Sequence, residues 1–293
     1  MALADHPADA PASLADRLEA ILGGRPRLVP VAAGYGIAIH RAEAGGARFA
    51  VKSGRADLPD HLAIEAAMLG DLRADGSLPV PEVIHAEADL LVMDWIETDG
   101  RPIGEAHERQ AGEMLARLHA TPRPGFGYPY GTTIGGLAQP NPEGAEWVGF
   151  FRDARLLHFA RQAFARQHID AALLARLEAL AERLTALLPE PDHPALIHGD
   201  AWFGNVLVSG DRIAAWIDPA LHHAHPEMEL AYVTMHGTFA RPFFAAYGAL
   251  APIDPAFEGR IDLYNIVPNL VHVMLAGPAY IAPIDAALRR HGL

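Results

Sequence analysis

The sequence predicts an α+β protein of two lobes, in which a small antiparallel β lobe is followed by a larger, mainly helical lobe. Three observations support this prediction. The first hundred residues alternate short apolar strands with glycine-rich turns around one helical segment. After Gly100, apolar residues recur at helical spacing over most of the chain. At 293 residues, the chain is long enough to bury the cores of two such lobes around a shared cleft.

The small lobe is predicted at residues 13–96, after a segment at 1–12 whose Ala, Pro and Asp content indicates a frayed tail. Ser13 can cap a first amphipathic helix with leucines at helical spacing. A glycine turn at 33–36 separates the first two strands. The strands are predicted at 28–32, 37–43, 48–53, 82–86 and 90–96, and a helix at 60–73.

Residues 97–100 are predicted to be a hinge and residues 101–293 the larger lobe. A segment at 121–142 is dense in Gly and Pro and is predicted to be a loop. Helices are predicted at 103–120, 147–167 and 169–188 and over most of 226–293, and short strands at 196–198, 205–208 and 213–218. Two lobes joined by a short hinge can close on a nucleotide.

The net charge of −13 argues against nucleic-acid binding, which uses basic patches to displace phosphate counterions. A nucleotide phosphate would therefore need a local lysine, backbone N–H groups and a metal ion. No apolar run approaches the roughly 20 residues that span a bilayer, and the N-terminus does not have the pattern of a signal peptide. Cysteine is absent, which removes disulfides and thiolate sites. We expect a cytoplasmic protein without membrane or nucleic-acid partners.

The strongest chemical pattern runs over residues 196–218. Asp200 is followed after four residues by Asn205, then by a predicted hairpin and Asp218. Phosphoryl transfer uses this arrangement, in which the first Asp orients and deprotonates the attacking hydroxyl, and the Asn and second Asp supply oxygen ligands to Mg²⁺. The alternative is an ordinary strand–turn–strand with a capping Asp and a turn Asn. The spacing favours Asp200 as the catalytic base and Asn205 and Asp218 as the metal ligands.

The string HGDAWFGN at 198–205 resembles known sequences. Its HGD and Asn are similar to those of the aminoglycoside phosphotransferase and choline kinase superfamily, and with WIDPA at 216–220 it resembles the fructosamine kinase (ketosamine kinase) family. The middle and C-terminal segments of that family are similar to residues 134–141, 147–151, 155–156, 246–247, 260 and 263–265. The resemblance implies a protein-kinase-like fold, ATP and Mg²⁺ as cofactors, and transfer of the γ-phosphate to a sugar hydroxyl of a ketosamine (a fructosamine or ribulosamine) in deglycation repair.

The same resemblance assigns residues to the acceptor. It implies that Trp202 lines a pocket for the sugar and its amine, where an aromatic face suits a cation, and a core position is the alternative for this residue. His198 and Asn141 are also expected on the substrate side. The sequence departs from the family at Glu229, where an aspartate is usual. If Glu229 steadies the catalytic loop, its longer side chain must make different contacts.

A lysine and a glutamate form the next candidate pair. Lys52 ends a predicted hairpin, and Glu65 follows on the next helix at the spacing of the kinase ion pair that positions the ATP phosphates. Singly, each would be an ordinary surface charge. Gly34 and Gly36 lie in the turn before this hairpin strand, where the family tends to have two adjacent glycines. That turn either cradles phosphate or is a plain hairpin turn.

Residues 91–96 resemble the segment that connects the two lobes in this superfamily. The backbone there would hydrogen-bond adenine, while apolar side chains enclose the ring. A buried edge strand is the alternative, and it is compatible with adenine binding. The residues assigned to this contact are Met93, Asp94, Trp95 and Ile96.

Histidines cluster at His222, His223 and His225. A zinc site is one interpretation, but adjacent histidines on a strand point to opposite faces and no cysteine is available. A polar wall of the substrate cleft is favoured instead, although the first two stand where the family often has tyrosines. For His119, at the end of a predicted helix, we expect a buried structural hydrogen bond.

Two rival functions stay open from the sequence. One is a different small-molecule acceptor in the same superfamily, such as an aminoglycoside, choline or homoserine, and an acidic cleft would favour cationic acceptors. The other is a catalytically silent nucleotide-binding regulator, which Mg²⁺-dependent ATP turnover would exclude. The sequence does not determine the physiological acceptor, the phosphorylated hydroxyl, the oligomeric state, or the role of the histidine cluster.

Overall fold

The structure is a computed structural model that describes residues 13–34, 36–54 and 61–293. The predicted tail at 1–12 lies outside the described residues, as do Tyr35 of the glycine turn and Asp60, the first residue of the predicted second helix. Among the described residues, no helix has both the length and the apolar character to cross a membrane.

The N-terminal part contains an antiparallel sheet with two helices. Within the described residues, five strands pair in the order β1-β2-β3-β5-β4. Ser13 caps the first helix, because its side chain accepts a hydrogen bond from the Asp16 backbone. The elements are α1 (Leu14–Leu22), β1 (Arg27–Gly34), β2 (Ile37–Ala44), β3 (Ala47–Ser53), α2 (His61–Asp75), β4 (Val83–Glu87) and β5 (Leu90–Asp94).

The sheet packs apolar side chains on both of its faces. Successive side chains of β5 point to opposite faces, so Leu90 and Val92 pack towards α1 while Leu91 and Met93 pack towards α2. The predicted strand at 90–96 is shorter in the structure, because regular pairing ends at Asp94 opposite Phe49.

The C-terminal part is mainly helical and contains the larger apolar core. Its helices are α3 (Glu105–His119), α4 (Trp147–Phe150), α5 (Leu157–Ala165), α6 (Ala171–Ala181), α7 (Pro226–Met235), α8 (Arg241–Leu250), α9 (Ile261–Ala276) and α10 (Ile281–Arg290). Its strands form three antiparallel pairs: β6 (Thr132–Ile134) with β7 (Leu137–Gln139), β8 (Ala195–Ile197) with β11 (His222–Ala224), and β9 (Val206–Ser209) with β10 (Arg212–Trp216).

Three features of this part differ from the sequence prediction. The segment at 121–142, predicted as a loop, contains the β6–β7 hairpin, whose three-residue strands are too short to give an alternating pattern. The strand β11 is not predicted by the sequence, because its three residues are too few to show an alternating pattern and it is held by pairing with β8. The helix predicted at 147–167 is interrupted by a π-helical turn at Phe151–Leu156, a feature common near functional sites.

The helix α2 joins the sheet to the helical part. Its Asp71 accepts hydrogen bonds from the hydroxyls of Tyr128 and Tyr130, and its Asp75 pairs with Arg123. A backbone hydrogen bond of 2.8 Å from Trp216 to the Pro79 carbonyl adds a further connection. The helix that carries Glu65 is therefore fixed against the part that carries the pattern at residues 196–218.

Candidate active site

A cleft of about 480 Å³ lies between the sheet and the helical part. Its floor is formed by residues of the predicted catalytic string, and its roof by the β1–β2 turn and the β6–β7 hairpin. The lining residues that concern the chemistry are Gly34, Lys52, Glu65, Asp200, Trp202, Asn205 and Asp218. Seven of the residues assigned from the sequence therefore face one space.

Asp200 follows β8 in a short loop that faces the cleft. Its Oδ1 accepts a hydrogen bond of 2.6 Å from the Tyr232 hydroxyl, and its Oδ2 accepts one of 2.9 Å from the Asn205 side-chain amide. Burial raises the pKa of Asp200 to about 7, against the opposing effect of these two hydrogen bonds. Two donors thus fix the orientation of the carboxylate, while its pKa remains near the range that suits a general base.

Glu229 holds the loop that contains His198, Gly199 and Asp200. Its carboxylate accepts the backbone N–H of His198 at 3.1 Å and that of Gly199 at 2.7 Å. His119 donates a further hydrogen bond of 2.9 Å to Glu229 and is itself hydrogen-bonded to Tyr247. Burial opposes ionisation of Glu229, but these donors hold its pKa below its ordinary value. The expected structural hydrogen bond of His119 is present, and the longer glutamate reaches two loop amides.

Gly199 is required by the close approach of the next strand. Its φ of 82° lies in the left-handed region, and a Cβ there would come within 2.2 Å of the Ala220 carbonyl oxygen. The Ala220 N–H donates to the His198 carbonyl at 2.8 Å. This crossing brings the segment with Asp218 beside the loop with Asp200.

Asn205 and Asp218 lie next to each other in the cleft. The Asn205 amide nitrogen donates to Asp200, which leaves its Oδ1 as the group that can reach a cation. The Ile217 N–H donates to the Asn205 carbonyl at 3.0 Å, and the side chain of Asp218 is 40% exposed. One carboxylate and one amide oxygen fit Mg²⁺, which completes its octahedron with water and phosphate oxygens. Asp218 has a φ of 54°, a strained value for a non-glycine residue that is typical of functional sites.

Lys52 is the only lysine in the sequence, and it is buried in the cleft wall. Its Nζ lies 2.6 Å from Glu65 Oε1 and also contacts Asp218. Burial opposes its charge, but the two carboxylates outweigh that effect and raise its pKa. Burial raises the pKa of Glu65 to about 7, because Lys52 is shared with Asp218 and offsets only part of the desolvation. The predicted lysine–glutamate pair is formed in the structure.

The glycine turn and the segment at 93–96, which the sequence analysis assigns to adenine, differ in their relation to the cleft. Gly34 lines it and pairs with Ile37 across the β1–β2 turn, and Gly36 has a φ of 80°. The turn is therefore a hairpin turn that also forms part of the roof. Among the described residues, the side chains at 93–96 do not line this cleft; Met93 is buried under α2. The Asp94 N–H donates to the Glu82 carbonyl at 2.9 Å, and the Trp95 N–H donates to the Arg48 carbonyl at 3.4 Å.

The three residues assigned to the acceptor do not all reach the cleft. Trp202 lines it, with its ring partly exposed. The His198 ring is fully buried, where its Nδ1 accepts the Asp200 N–H at 3.3 Å and burial lowers its pKa. Asn141 is buried behind the β6–β7 hairpin and accepts a 2.5 Å hydrogen bond from Arg155. These two side chains support the cleft wall from behind.

The histidine cluster does not form the polar cleft wall that the sequence suggested. The Nδ1 atoms of His222 and His223 lie 3.1 Å from the carbonyl oxygens of Ala220 and Gly125 respectively. His225 accepts the Glu227 N–H and caps α7. In the described part of the chain, no group of three or more His, Cys, Asp or Glu side chains is placed to hold a metal.

Sequence reasoning missed Tyr232. It lies on α7 three residues after Glu229, and residues at this spacing share a helix face. A helix that offers a loop-holding carboxylate can therefore also offer a hydroxyl to the same loop. That spacing was the available signal, and the contact partner thirty-two positions away in the sequence could not be read from it.

A two-lobed α+β fold with a candidate base, two oxygen-bearing side chains and a buried lysine–glutamate pair around one cleft defines a kinase-like phosphotransferase that acts on a hydroxyl group. The chain belongs to the fructosamine kinase family, which it matches over residues 29–291.

A relative and two solved structures show how far this similarity extends. A candidate ketoamine kinase of Synechocystis sp. is 31% identical over 246 residues, which are 80% of each chain. The structure of a candidate fructosamine-3-kinase from Thermobifida fusca superposes with a TM-score of 0.84 at 31% identity, covering 94% of this chain and 97% of that one. An aminoglycoside phosphotransferase solved with ADP and hygromycin B shares the fold, with a TM-score of 0.66 at 19% identity over 95% and 98% of the two chains.

Proposed function

We propose that this protein is an ATP- and Mg²⁺-dependent ketosamine kinase that phosphorylates a sugar hydroxyl of a fructosamine or ribulosamine. The observation that carries the proposal is the placement of Asp200. It faces the cleft between Trp202 and Asp218, and Tyr232 and Asn205 fix its carboxylate. Membership of the fructosamine kinase family supports the ketosamine as acceptor.

On the nucleotide side, Lys52 would contact the phosphates and Glu65 would hold Lys52 in place. Asn205 Oδ1 and the Asp218 carboxylate would hold Mg²⁺, which, when bound, neutralises charge on the phosphate oxygens. Gly34 lines the same cleft as Lys52, on the β1–β2 side. The segment Met93–Ile96 remains our assignment for adenine, through backbone groups other than the N–H groups of Asp94 and Trp95, which are already hydrogen-bonded.

On the acceptor side, Asp200 would accept the hydroxyl proton as the hydroxyl oxygen attacks the γ-phosphorus and the bond to the bridging oxygen breaks. A base with a pKa of about 7 is matched to this task near neutral pH. Trp202 would lie against the acceptor beside the base, which suits the apolar face of a sugar or the amine cation. We also propose a small-molecule acceptor and a cytoplasmic location. The absence of cysteine, and so of disulfides, supports the location, because the cytoplasm is a reducing compartment.

The test is ATP consumption with a panel of fructosyl- and ribulosyl-amines, free sugars, an aminoglycoside and choline, with and without Mg²⁺. A ketosamine should exceed choline in kcat/KM by at least about a hundredfold, because a site that hydrogen-bonds particular hydroxyls rejects acceptors that lack them. Preference for the aminoglycoside or choline would retain the kinase and overturn its acceptor. Binding of nucleotide without turnover of any acceptor would favour a silent regulator.

A further inference from the structure

Arg155 is a buried charge in the larger lobe. Its side chain is fully buried on the π-helical turn at Phe151–Leu156, with the guanidinium 4.6 Å from the Phe150 ring centroid. Among residues 13–34, 36–54 and 61–293, it has no acidic partner. Burying a charge without a counter-ion costs stability, and departures of this kind from ordinary packing are expected at functional sites.

The guanidinium donates hydrogen bonds to three partners outside its own turn. Nη1 donates to the Pro140 carbonyl at 2.7 Å, and Nη2 donates to Asn141 Oδ1 at 2.5 Å. Nε donates to His222 Nε2 at 3.3 Å. Pro140 and Asn141 follow β7 directly, and His222 begins β11. One side chain therefore joins the base of the β6–β7 hairpin to β11.

The contact with Asn141 supports both strands of the hairpin. Because its Oδ1 accepts from Arg155, the Asn141 amide is oriented with Nδ2 towards the other strand. There Nδ2 donates to the Tyr130 carbonyl at 3.1 Å and to Thr132 Oγ1 at 2.8 Å. Gln139 adds a hydrogen bond of 2.9 Å to the same hydroxyl. The base of the hairpin is thus held from behind by Arg155 through Asn141.

The contact with His222 supports the segment that follows Asp218. Because His222 Nε2 accepts from Arg155, the neutral ring carries its proton on Nδ1, which donates to the Ala220 carbonyl at 3.1 Å. Gln139 also donates to this carbonyl at 3.1 Å. Ala220 lies two residues after Asp218, so the hairpin and the segment with the candidate metal ligand are tied together at one point.

The tip of the hairpin reaches the site of reaction. Residues 133–136 line the catalytic cleft. Ile134 also lines a small space that is shared with Glu229 and Tyr232, the residues that hold Asp200 and its loop. A misplacement of about 1 Å in a group that positions the substrate can cost about a hundredfold in rate.

We propose that Arg155 is a positioning residue for phosphoryl transfer, which holds the tip of the β6–β7 hairpin and the segment after Asp218 in a fixed relation across the cleft. The proposal rests on the proposed kinase function and adds a residue to it. The planar guanidinium presents its donors in fixed directions, whereas a lysine ammonium is a point charge on a flexible stem that does not match all three partners together.

The test is Arg155→Lys, which keeps the charge and removes the planar fork. With fructosyl-glycine as a small ketosamine, kcat/KM for the acceptor should fall by at least about tenfold. Nucleotide affinity, titrated without acceptor, should stay within about threefold, because Lys52 and Glu65 lie on the opposite wall. The matched control is Arg152→Lys on the same π-helical turn, where the arginine pairs with Asp153. It should stay within about twofold of wild type in both measurements.

Two variants of His222 test the same connection with Arg155 in place. In His222→Gln, the amide can accept from Arg155 and donate to the Ala220 carbonyl as the imidazole does, so kcat/KM should stay within about threefold of wild type. His222→Leu removes both contacts and should lower kcat/KM by at least about tenfold. This pair decides the matter if Arg155→Lys does not fold.

Amide hydrogen exchange shows where the effect lies. In Arg155→Lys, the amides of residues 132–139 should exchange at least about tenfold faster than in wild type, while those of α5 and α9 stay unchanged. A kcat/KM within about threefold of wild type in both Arg155→Lys and His222→Leu, or exchange that rises equally over the larger lobe, would overturn the positioning role and leave the kinase assignment intact. A wild-type protein that turns over no ketosamine would instead overturn the proposed function, and the positioning role with it.

Discussion

The two walls of the cleft are held in different ways. The catalytic loop is fixed by hydrogen bonds from a helix of its own lobe: Glu229 accepts two loop N–H groups and Tyr232 donates to Asp200. Lys52 on the opposite wall is held by charge, and one of its partners, Asp218, belongs to the other lobe. The first wall is complete before any ligand arrives, whereas the second shares one ammonium between two carboxylates.

This difference indicates that the two walls have different roles. A preorganised base does not need to be reoriented during the reaction, which is the form of catalysis that positioned groups provide. A charge cluster with one lysine and two carboxylates has an excess of negative charge at neutral pH when both acids are ionised. The electrostatic energy of such a cluster changes with every ion that enters the cleft. Substitutions on the two walls should therefore change different measured quantities.

The largest effect is expected from Asp200→Asn. The amide preserves the shape and can still accept from Tyr232, but it cannot take a proton, so kcat should fall by about 10²–10⁴-fold. The affinity for ATP should change little, because the proposed role of Asp200 is on the acceptor and not on the nucleotide. Steady-state kinetics and nucleotide titration check both statements. A kcat within about threefold of wild type, or about 0.7 kcal/mol, would remove Asp200 from the role of base.

Substitution of Lys52 should instead change KM for ATP. Lys52→Met removes the only lysine and leaves Glu65 and Asp218 facing each other, so KM for ATP should rise by at least about tenfold. Arg48→Met on the same strand is the control, since Arg48 pairs with Glu97 at the surface. An acyl-phosphate derivative of ATP should acylate Lys52 as the single labelled side chain, and excess ATP should protect it. Labelling that ATP does not prevent would contradict a phosphate contact.

The sequence predicts those residues of the two cleft walls that belong to a local sequence pattern. The spacing of Asp200, Asn205 and Asp218 and the pair Lys52 and Glu65 could be identified because each set sits on consecutive elements. Most strands and helices followed from apolar periodicity in the same way. In the structure these five side chains face one cleft.

The supporting contacts could not be predicted, because they join residues far apart in the chain. Arg155 is one example: it is fully buried, it has no acidic partner within the described residues, and it donates hydrogen bonds to Asn141 and His222. Burial lowers its pKa well below the ordinary value. Nothing in the sequence distinguishes it from a solvated surface arginine, and its partners are known only once the β6–β7 hairpin and β11 are in place.

A smaller effect is expected from Glu229→Gln, which tests how the first wall is held. The amide can accept one loop N–H but turns its own NH₂ towards the other, so one buried donor loses its partner. We expect a loss of about 3 kcal/mol in the free energy of unfolding, because the broken hydrogen bonds involve a buried charged group. Urea unfolding measures it, with the exposed Glu178→Gln as control. Equal stabilities would show that the loop does not depend on Glu229.

The smallest effect concerns His225, which caps the helix that carries Glu229 and Tyr232. Burial lowers the pKa of His225 from an ordinary value of 6.5 to about 4. As pH falls below 6.5, the unfolded chain takes up this proton before the folded protein does, so acid destabilises the fold progressively until pH reaches about 4. Between about pH 7.5 and pH 5, the loss from this one group should be about 1–2 kcal/mol.

His225→Asn separates this proton from the cap. Asparagine is a good N-cap and can accept the Glu227 N–H in place of the imidazole, but it does not titrate. The variant should therefore match wild type in urea unfolding near pH 7.5 and exceed it by about 1–2 kcal/mol near pH 5. At each of these two pH values, the kcat of the variant should equal that of wild type, because the cap supports α7 without touching the cleft. An identical pH dependence in both proteins would mean that His225 is protonated in the folded state as readily as in the unfolded one.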